Sequence, residues 1–208
     1  MSGSRLGIMG GTFDPIHYGH LRAAEWAREK FGLAEVVFVP CGTPPHRPEG
    51  AVAPAEDRFR MTVLATEGNP HFSVSRREVE RPGPSYSVDT VREFRQEQGE
   101  ETDLYFITGV DSVLELLTWR EPDNLLALCQ FIAVMRPGFH PRQLKAKLGP
   151  ERVKRIHLLP MGGVLVSSTE IRDRVRHGFS VRYLTPEPVR AYIEEQELYL
   201  NQPEGPAG

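Results

Sequence analysis

Cysteine is scarce in this sequence of 208 residues. The two cysteines, Cys41 and Cys129, lie far apart and lack the paired spacing of a zinc site or a redox motif, so we expect free thiols in a reducing compartment. Long apolar runs are also missing: no stretch approaches the roughly 20 apolar residues of a membrane span, and the N-terminus lacks the pattern of a signal peptide. These absences predict a cytoplasmic protein.

A strong excess of charge of either sign is missing as well. The formal net charge is −3, which gives no overall electrostatic reason to expect a nucleic acid or a membrane as partner. A nucleic-acid binder would need a basic stripe with aromatic residues between the charges, and the sequence has none. The charge pattern therefore disfavours a nucleic-acid binder.

The length and composition indicate one globular domain. With 39% hydrophobic residues, 208 residues can form one sizeable core but not two comfortable ones. We expect a single domain over residues 1–200 and a disordered tail over 201–208, which is polar and contains Pro and Gly. Nothing in the sequence decides the oligomeric state, so a homo-oligomer stays open.

The hydrophobic pattern predicts a parallel sheet covered by helices on both faces. Arg5–Met9 is a short apolar run that ends at a Gly-Gly turn, and a helix is predicted from Tyr18 to Phe31 with Gly32 ending it. Further apolar runs cover residues 36–39, 104–108 and 131–135. Such runs, alternating with amphipathic helices, are typical of a doubly wound, Rossmann-like α/β fold, whose ligands bind beyond the carboxyl ends of the strands. Two Pro- and Gly-rich segments, 42–54 and 81–87, are interpreted as mobile active-site loops.

The first chemical motif is GGTFDPIHYGH, residues 10–20, between the first strand and the first helix. Backbone amides and the positive end of a helix can hold a phosphate there, although the motif is neither a P-loop nor a dinucleotide fingerprint. His17 and His20 share one helix face and could both donate to phosphoryl oxygens. The alternatives are surface histidines in a Gly-Pro turn, or two metal ligands without a third one nearby.

The second motif is VSSTEIR, residues 166–172. Ser167 and Glu170 have the spacing of a capping box that opens a helix. Capping does not require Ser168, Thr169 and Arg172, which together offer hydroxyls, free amides and a guanidinium suited to a polyphosphate.

Together the two motifs resemble the bacterial nicotinate-nucleotide adenylyltransferase family of the HxGH nucleotidyltransferase superfamily. The resemblance covers nearly the whole chain, because further segments follow in the order expected of that family. These are Pro44–Arg47, Asp57–Arg58 with Met61, Ser85–Thr90, Gly109–Asp111, Trp119 and Arg136–Gly138. A closing segment, residues 183–193, also resembles the family and is interpreted as packing of a last helix.

The resemblance implies roles for individual residues. His17, His20 and Arg172 would be catalytic, acting on the phosphates of ATP. ATP would also contact Gly10, Gly11, Thr12, Phe13, Gly109, Asp111, Ser167, Ser168 and Thr169. Nicotinate mononucleotide would be bound by Arg47, Tyr86, Ser87, Thr90, Trp119 and Arg136, with Trp119 stacking on the ring unless it is simply a core tryptophan.

Three positions depart from the family pattern. Cys41 stands where Asn is common, Ser87 replaces the usual Thr, and Val110 replaces the usual Ala. These departures bear on contacts with the substrates rather than on the reaction.

The predicted activity is transfer of the adenylyl group of ATP to nicotinate mononucleotide in NAD biosynthesis, by direct in-line displacement without a covalent intermediate. Mg²⁺ is expected to arrive with ATP, and no metal site of the protein itself is predicted. One alternative is a related adenylyltransferase for phosphopantetheine or nicotinamide mononucleotide; Trp119 and the 85–90 segment argue against phosphopantetheine. Another is a non-catalytic nucleotide sensor, which the intact histidine pair and Arg172 disfavour.

Overall fold

The computed structural model describes residues 4–45, 52–135, 138–162 and 166–200. Within these ranges six parallel strands form one sheet in the order β3-β2-β1-β4-β5-β6. The strands are β1 Arg5–Gly11, β2 Glu35–Pro40, β3 Phe72–Val74, β4 Asp103–Gly109, β5 Gln130–Met135 and β6 Ile156–Pro160. The predicted Rossmann-like α/β fold is confirmed.

Helices connect the strands and close the chain. Their bounds are α1 Tyr18–Phe31, α2 Ala55–Thr66, α3 Arg77–Glu80, α4 Ser87–Gln98, α5 Val110–Leu114, α6 Pro122–Leu128, α7 Arg142–Leu148, α8 Pro150–Val153, α9 Ser168–Arg176 and α10 Glu187–Glu195. A 3₁₀ turn, Leu116–Thr118, lies between α5 and α6. In the part of the chain that the structure describes, no helix is long and apolar enough to cross a membrane.

Helix α1 has the bounds that its sequence predicts. Ala23, Ala24 and Ala27 are buried on its inner face, where small side chains allow close approach to the sheet. Gly32 ends the helix at φ 61°, a left-handed conformation that glycine adopts without a steric penalty. At its other end, His17 is the N-cap residue, so the helix begins immediately after this histidine.

The core has two layers, one on each face of the sheet. Successive residues of a strand point to opposite faces, so Ile8 joins one cluster and Met9 the other. The Ile8 cluster is covered by α4 to α7, and the Met9 cluster by α1, α2 and α10. The predicted coverage of both faces is confirmed.

The two central strands, β1 and β4, set the position of the crevice. The chain leaves β1 toward the face covered by α1 and leaves β4 toward the face covered by α5. Where connections diverge in this way, a crevice opens at the carboxyl ends of the strands. Gly10 and Gly11 end β1 at this crevice, and a Cβ on Gly10 would lie 2.8 Å from the Phe106 ring of β4.

The 3₁₀ turn after α5 provides a test of the core. Leu116 is fully buried, whereas the next residue, Leu117, is 44% exposed. We expect Leu116→Ala to lower the free energy of unfolding by about 2–5 kcal/mol because it leaves a cavity. Leu117→Ala, the matched control, should lower it by about 0.5 kcal/mol or less. Equal losses in urea unfolding would contradict this packing.

Candidate active site

The histidine pair lies at the start of α1. The backbone amide of His17 donates to Nδ1 of His20 at 3.3 Å, and the two rings stack with centroids 3.7 Å apart. Since Nδ1 of His20 accepts this hydrogen bond, the neutral ring carries its hydrogen on Nε2. Nε2 is then the donor atom of the His20 ring.

Gly19 makes this stacked arrangement possible. A Cβ at this position would lie 2.9 Å from two atoms of the His17 ring. With a glycine there, His17 folds into the loop and is only 6% exposed. The interpretation of both histidines as loose surface residues is therefore wrong. Among the residues that the structure describes, no group of three or more His, Cys, Asp and Glu could hold a metal ion.

Helix α9 brings the second motif onto the first. Ser167 caps the helix, its Oγ accepting from the amide of Glu170 at 3.1 Å, which confirms the predicted N-cap. Ser168 Oγ donates to the carbonyl of Pro15 at 2.9 Å, and Arg172 Nη1 donates to the carbonyl of Asp14 at 2.7 Å. Two motifs far apart in sequence thus share one site.

Asp14 is a buried centre of this contact that sequence reasoning missed. Asp14 is 2% exposed, and one of its carboxylate oxygens lies 3.7 Å from Nη1 of Arg172. The other oxygen accepts from the Ala53 amide at 3.2 Å and from the Tyr199 hydroxyl at 2.9 Å. Burial, reinforced by the Asp14 carboxylate, raises the pKa of Tyr199, which keeps its hydroxyl a donor. Asp14 therefore connects three segments of the chain.

The closing segment of the chain supports the same loop. Thr185 Oγ1 donates to the carbonyl of Ile16 at 2.7 Å, and the Tyr18 amide donates to the carbonyl of Leu184 at 3.1 Å. The predicted packing of a last helix is confirmed, since Val189 of α10 is fully buried. The segment also fixes the start of α1, which the sequence did not indicate.

The two segments predicted as active-site loops are bonded to each other. Ser85 Oγ accepts from the amides of Gly42 at 3.1 Å and of Thr43 at 3.3 Å. The Ser85 amide in turn donates to the Thr43 carbonyl at 2.9 Å. Gly42 has no room for a side chain, because a Cβ would lie 2.1 Å from the carbonyl oxygen of Glu78. The predicted mobility of these loops stays a prediction.

Two aromatic side chains, Tyr86 and Trp119, follow these loops in the sequence. Tyr86 precedes α4, and the guanidinium of Arg120 lies 4.7 Å from its ring centroid. Trp119 is half-buried, with its ring 6.0 Å from Phe106 and 6.3 Å from Phe131. One part of the indole therefore packs on the core while another part remains accessible.

The remaining predicted residues lie around the crevice. Gly109 ends β4, the neighbour of β1, and Asp111 is exposed in the first turn of α5. Phe13, at φ 50°, is buried with its ring 5.1 Å from that of His20. Arg47 and Arg136 lie outside the described residues, as does the predicted tail.

Comparison with known proteins gives this geometry a context. A cytidylyltransferase-like family model matches residues 8–174. A probable nicotinate-nucleotide adenylyltransferase of Moorella thermoacetica is 52% identical, covering 97% of this chain and 94% of that protein. A protein of the same description from Thermoanaerobacter sp. is 47% identical, covering 96% of each.

This chain belongs to the nicotinate-nucleotide adenylyltransferase family. As a member it is a nucleotidyltransferase, as the two motifs imply. Its fold matches a solved nicotinic acid mononucleotide adenylyltransferase of Plasmodium falciparum, complexed with NaAD. The TM-score is 0.78 at 18% identity, over 94% of this chain and 97% of that one.

In this adenylyltransferase Thr90 is buried in the first turn of α4. It is 1% exposed, and its hydroxyl donates to Glu78 Oε1 at 2.5 Å and accepts from Arg81 Nη1 at 3.1 Å. Burial raises the pKa of the Glu78 carboxyl, an effect that the Thr90 hydrogen bond partly offsets. The Thr90 side chain thus links the start of α4 to Glu78 of α3 and to Arg81. Ser87, the first residue of α4, is half-buried.

The raised pKa of Glu78 predicts a pH dependence of stability. The folded-state pKa lies above that of an unfolded glutamate, about 4.3, so the buried carboxyl contributes stability at lower pH that is lost as the pH rises through the raised value. Glu78→Gln removes this titration. We expect the free energy of unfolding of the variant, relative to wild type, to increase between about pH 4 and about pH 7. A decrease over that range, measured in urea, would contradict the raised pKa of the buried Glu78 carboxyl.

Proposed function

We propose that this chain transfers the adenylyl group of ATP to the phosphate of nicotinate mononucleotide, forming nicotinate adenine dinucleotide and pyrophosphate in NAD biosynthesis. The observation that carries the proposal is the junction of the two motifs, where Arg172 of α9 is bonded to the loop that positions His17 and His20. The descriptions of the relatives from Moorella and Thermoanaerobacter support the choice of substrates.

The triphosphate of ATP would lie between the two helix starts. His20 Nε2, the positive end of α1, the amides of Ser168 and Thr169 at the start of α9, and the Arg172 guanidinium offer donors and positive charge from both sides. The Gly10–Phe13 segment and the Ser167–Thr169 segment would line the same space. The adenosine would extend along the end of β4, toward Gly109 and Asp111.

Nicotinate mononucleotide would lie on the other side of the crevice. The accessible part of Trp119 offers a flat face for the ring. The first turn of α4, which begins at Ser87 after Tyr86, offers backbone amides and a positive helix end to the ring carboxylate. The carboxamide of nicotinamide mononucleotide carries no negative charge to interact with these amides and the helix end. This placement therefore favours nicotinate mononucleotide over nicotinamide mononucleotide. The proposed ligands Arg47 and Arg136 would meet the phosphate.

The chemistry requires positioning rather than an enzyme nucleophile. The acceptor phosphate is anionic at neutral pH, and one of its oxygens attacks the α-phosphorus of ATP directly while the bond to the bridging oxygen of pyrophosphate breaks. His17, His20 and Arg172 stabilise the charge that develops on the phosphoryl oxygens. Mg²⁺ enters as part of the ATP substrate and neutralises part of its charge. No covalent enzyme intermediate forms.

A comparison of acceptors tests the proposed activity. Purified protein, ATP and Mg²⁺ are incubated with nicotinate mononucleotide, nicotinamide mononucleotide or phosphopantetheine at equal concentrations, and pyrophosphate release is measured. We expect the fastest release with nicotinate mononucleotide, because the α4 amides and Trp119 suit an aromatic acid. Preference for phosphopantetheine would refute the roles of Trp119 and α4, and no release with any acceptor would favour a nucleotide sensor.

Substitution of His20 tests the phosphate site. His20→Ala removes a donor aimed at developing charge, so kcat should fall by about 10²–10³-fold. The control is His71→Ala, because His71 is exposed just before β3, at the opposite end of the sheet. An unchanged kcat in His20→Ala, or an equal loss in the control, would contradict the assignment.

A further inference from the structure

Arg58 of α2 is a buried cation to which the proposed reaction assigns no role. It is 1% exposed and is among the largest fully buried side chains. Its guanidinium donates to four backbone carbonyls: those of Ala53 at 2.9 Å, Thr12 at 2.8 Å, Cys41 at 2.5 Å and Gly42 at 2.8 Å. One side chain thus holds the segment after β1, the segment after β2 and the segment before α2.

The carbonyls that Arg58 holds belong to the loops proposed to meet the two substrates. Thr12 follows β1 on the side proposed for the phosphates of ATP. Gly42 follows β2, and its amide is bonded to Ser85, next to Tyr86 on the side proposed for the acceptor. The Arg58 side chain therefore links the loop proposed to bind ATP to the loop proposed to bind the acceptor.

The buried position of the Arg58 side chain does not by itself require a charged residue. Burial lowers the pKa of Arg58, while the nearby carboxylates of Asp14 and Glu78 favour its charged form. An apolar side chain of similar volume would avoid the desolvation of a cation. The planar guanidinium, however, presents its donors in a fixed geometry, which lysine and apolar residues lack. The arrangement thus fixes the relative positions of the carbonyls.

We propose that Arg58 is a positioning residue for adenylyl transfer, setting the distance between the ATP-binding loop at Thr12 and the acceptor-binding loop at Cys41–Gly42. This inference rests on the proposed function. Arg58 does not contact the reacting atoms; it acts through the backbone of both loops. Its loss should therefore misalign two bound substrates more than it weakens the binding of either one.

Arg95 provides a matched control away from the crevice. Its guanidinium also holds backbone carbonyls, those of Gly99 at 2.8 Å, Thr102 at 2.7 Å and Leu128 at 2.9 Å. Thr102 and Leu128 precede β4 and β5, so these contacts lie at the amino ends of the strands, opposite the crevice. Arg58→Lys and Arg95→Lys therefore each replace a guanidinium that holds backbone carbonyls, at opposite ends of the sheet.

The experiment measures kcat, both KM values and Tm for the two variants, well below either Tm. Arg58→Lys should lower kcat by about 10- to 100-fold, the scale of an ångström-sized misplacement, with smaller changes in either KM. Arg95→Lys should lower Tm yet keep kcat within about twofold of wild type. Wild-type kcat in Arg58→Lys, or an equal loss in Arg95→Lys, would overturn the proposal.

Hydrogen exchange separates this inference from the proposed function. Arg58→Lys should speed exchange of the Gly42 and Thr43 amides, whereas Arg95→Lys should leave them unchanged; equal protection in all three proteins would overturn the positioning role. If the wild-type chain adenylates an acceptor other than nicotinate mononucleotide, the proposed function fails. The kinetic comparison is then made with that acceptor, and exchange tests Arg58 without any turnover.

Discussion

The hydrogen bond from Arg172 to the carbonyl of Asp14 joins the two parts of the chain on which the site depends. It places the positive ends of α1 and α9 and a guanidinium in one crevice, an arrangement that is electrostatically unfavourable on its own. The buried Asp14 carboxylate, 3.7 Å from Arg172, supplies a fixed countercharge. In the proposed function, the triphosphate of ATP would complete the neutralisation.

The groups around this crevice favour charge stabilisation over covalent catalysis. Burial raises the pKa of Cys41 to about 11, so its thiol is protonated at neutral pH and is a poor nucleophile. The Ser168 hydroxyl donates to the Pro15 carbonyl and so helps to dock α9. The His17 amide donates to Nδ1 of His20, which places the hydrogen of the neutral ring on Nε2, the atom that the proposed function uses as a donor.

The sequence predicted the elements whose signals are local. Helix α1, the strands in the sheet centre and the Ser167 cap were foreseeable because apolar periodicity and capping residues act over a few positions. The edge strands β3 and β6 were missed: β3 has only three residues, and β6 contains the half-buried His157. A strand with one neighbour needs no long apolar run.

The buried polar networks were not foreseeable, because their partners are distant in sequence and are often backbone atoms. In the sequence Arg58 stands out only as part of a family pattern, although it holds four carbonyls, and no local signal marks Glu78 or Tyr199. The resemblance implies a role for Thr90 in binding nicotinate mononucleotide, which stays a prediction, and the structure adds that its hydroxyl is hydrogen-bonded to Glu78 and Arg81. A motif can identify a residue without indicating which way its side chain is used.

The central claim is that the site positions two substrates and stabilises charge, with no bond to the enzyme. The most direct measurement is the stereochemical course at the α-phosphorus, using ATP made chiral there by a sulfur substitution and analysing the configuration of the dinucleotide product. A single direct displacement predicts inversion of configuration. Retention would require two successive displacements, and therefore an enzyme-bound intermediate, which would contradict this account.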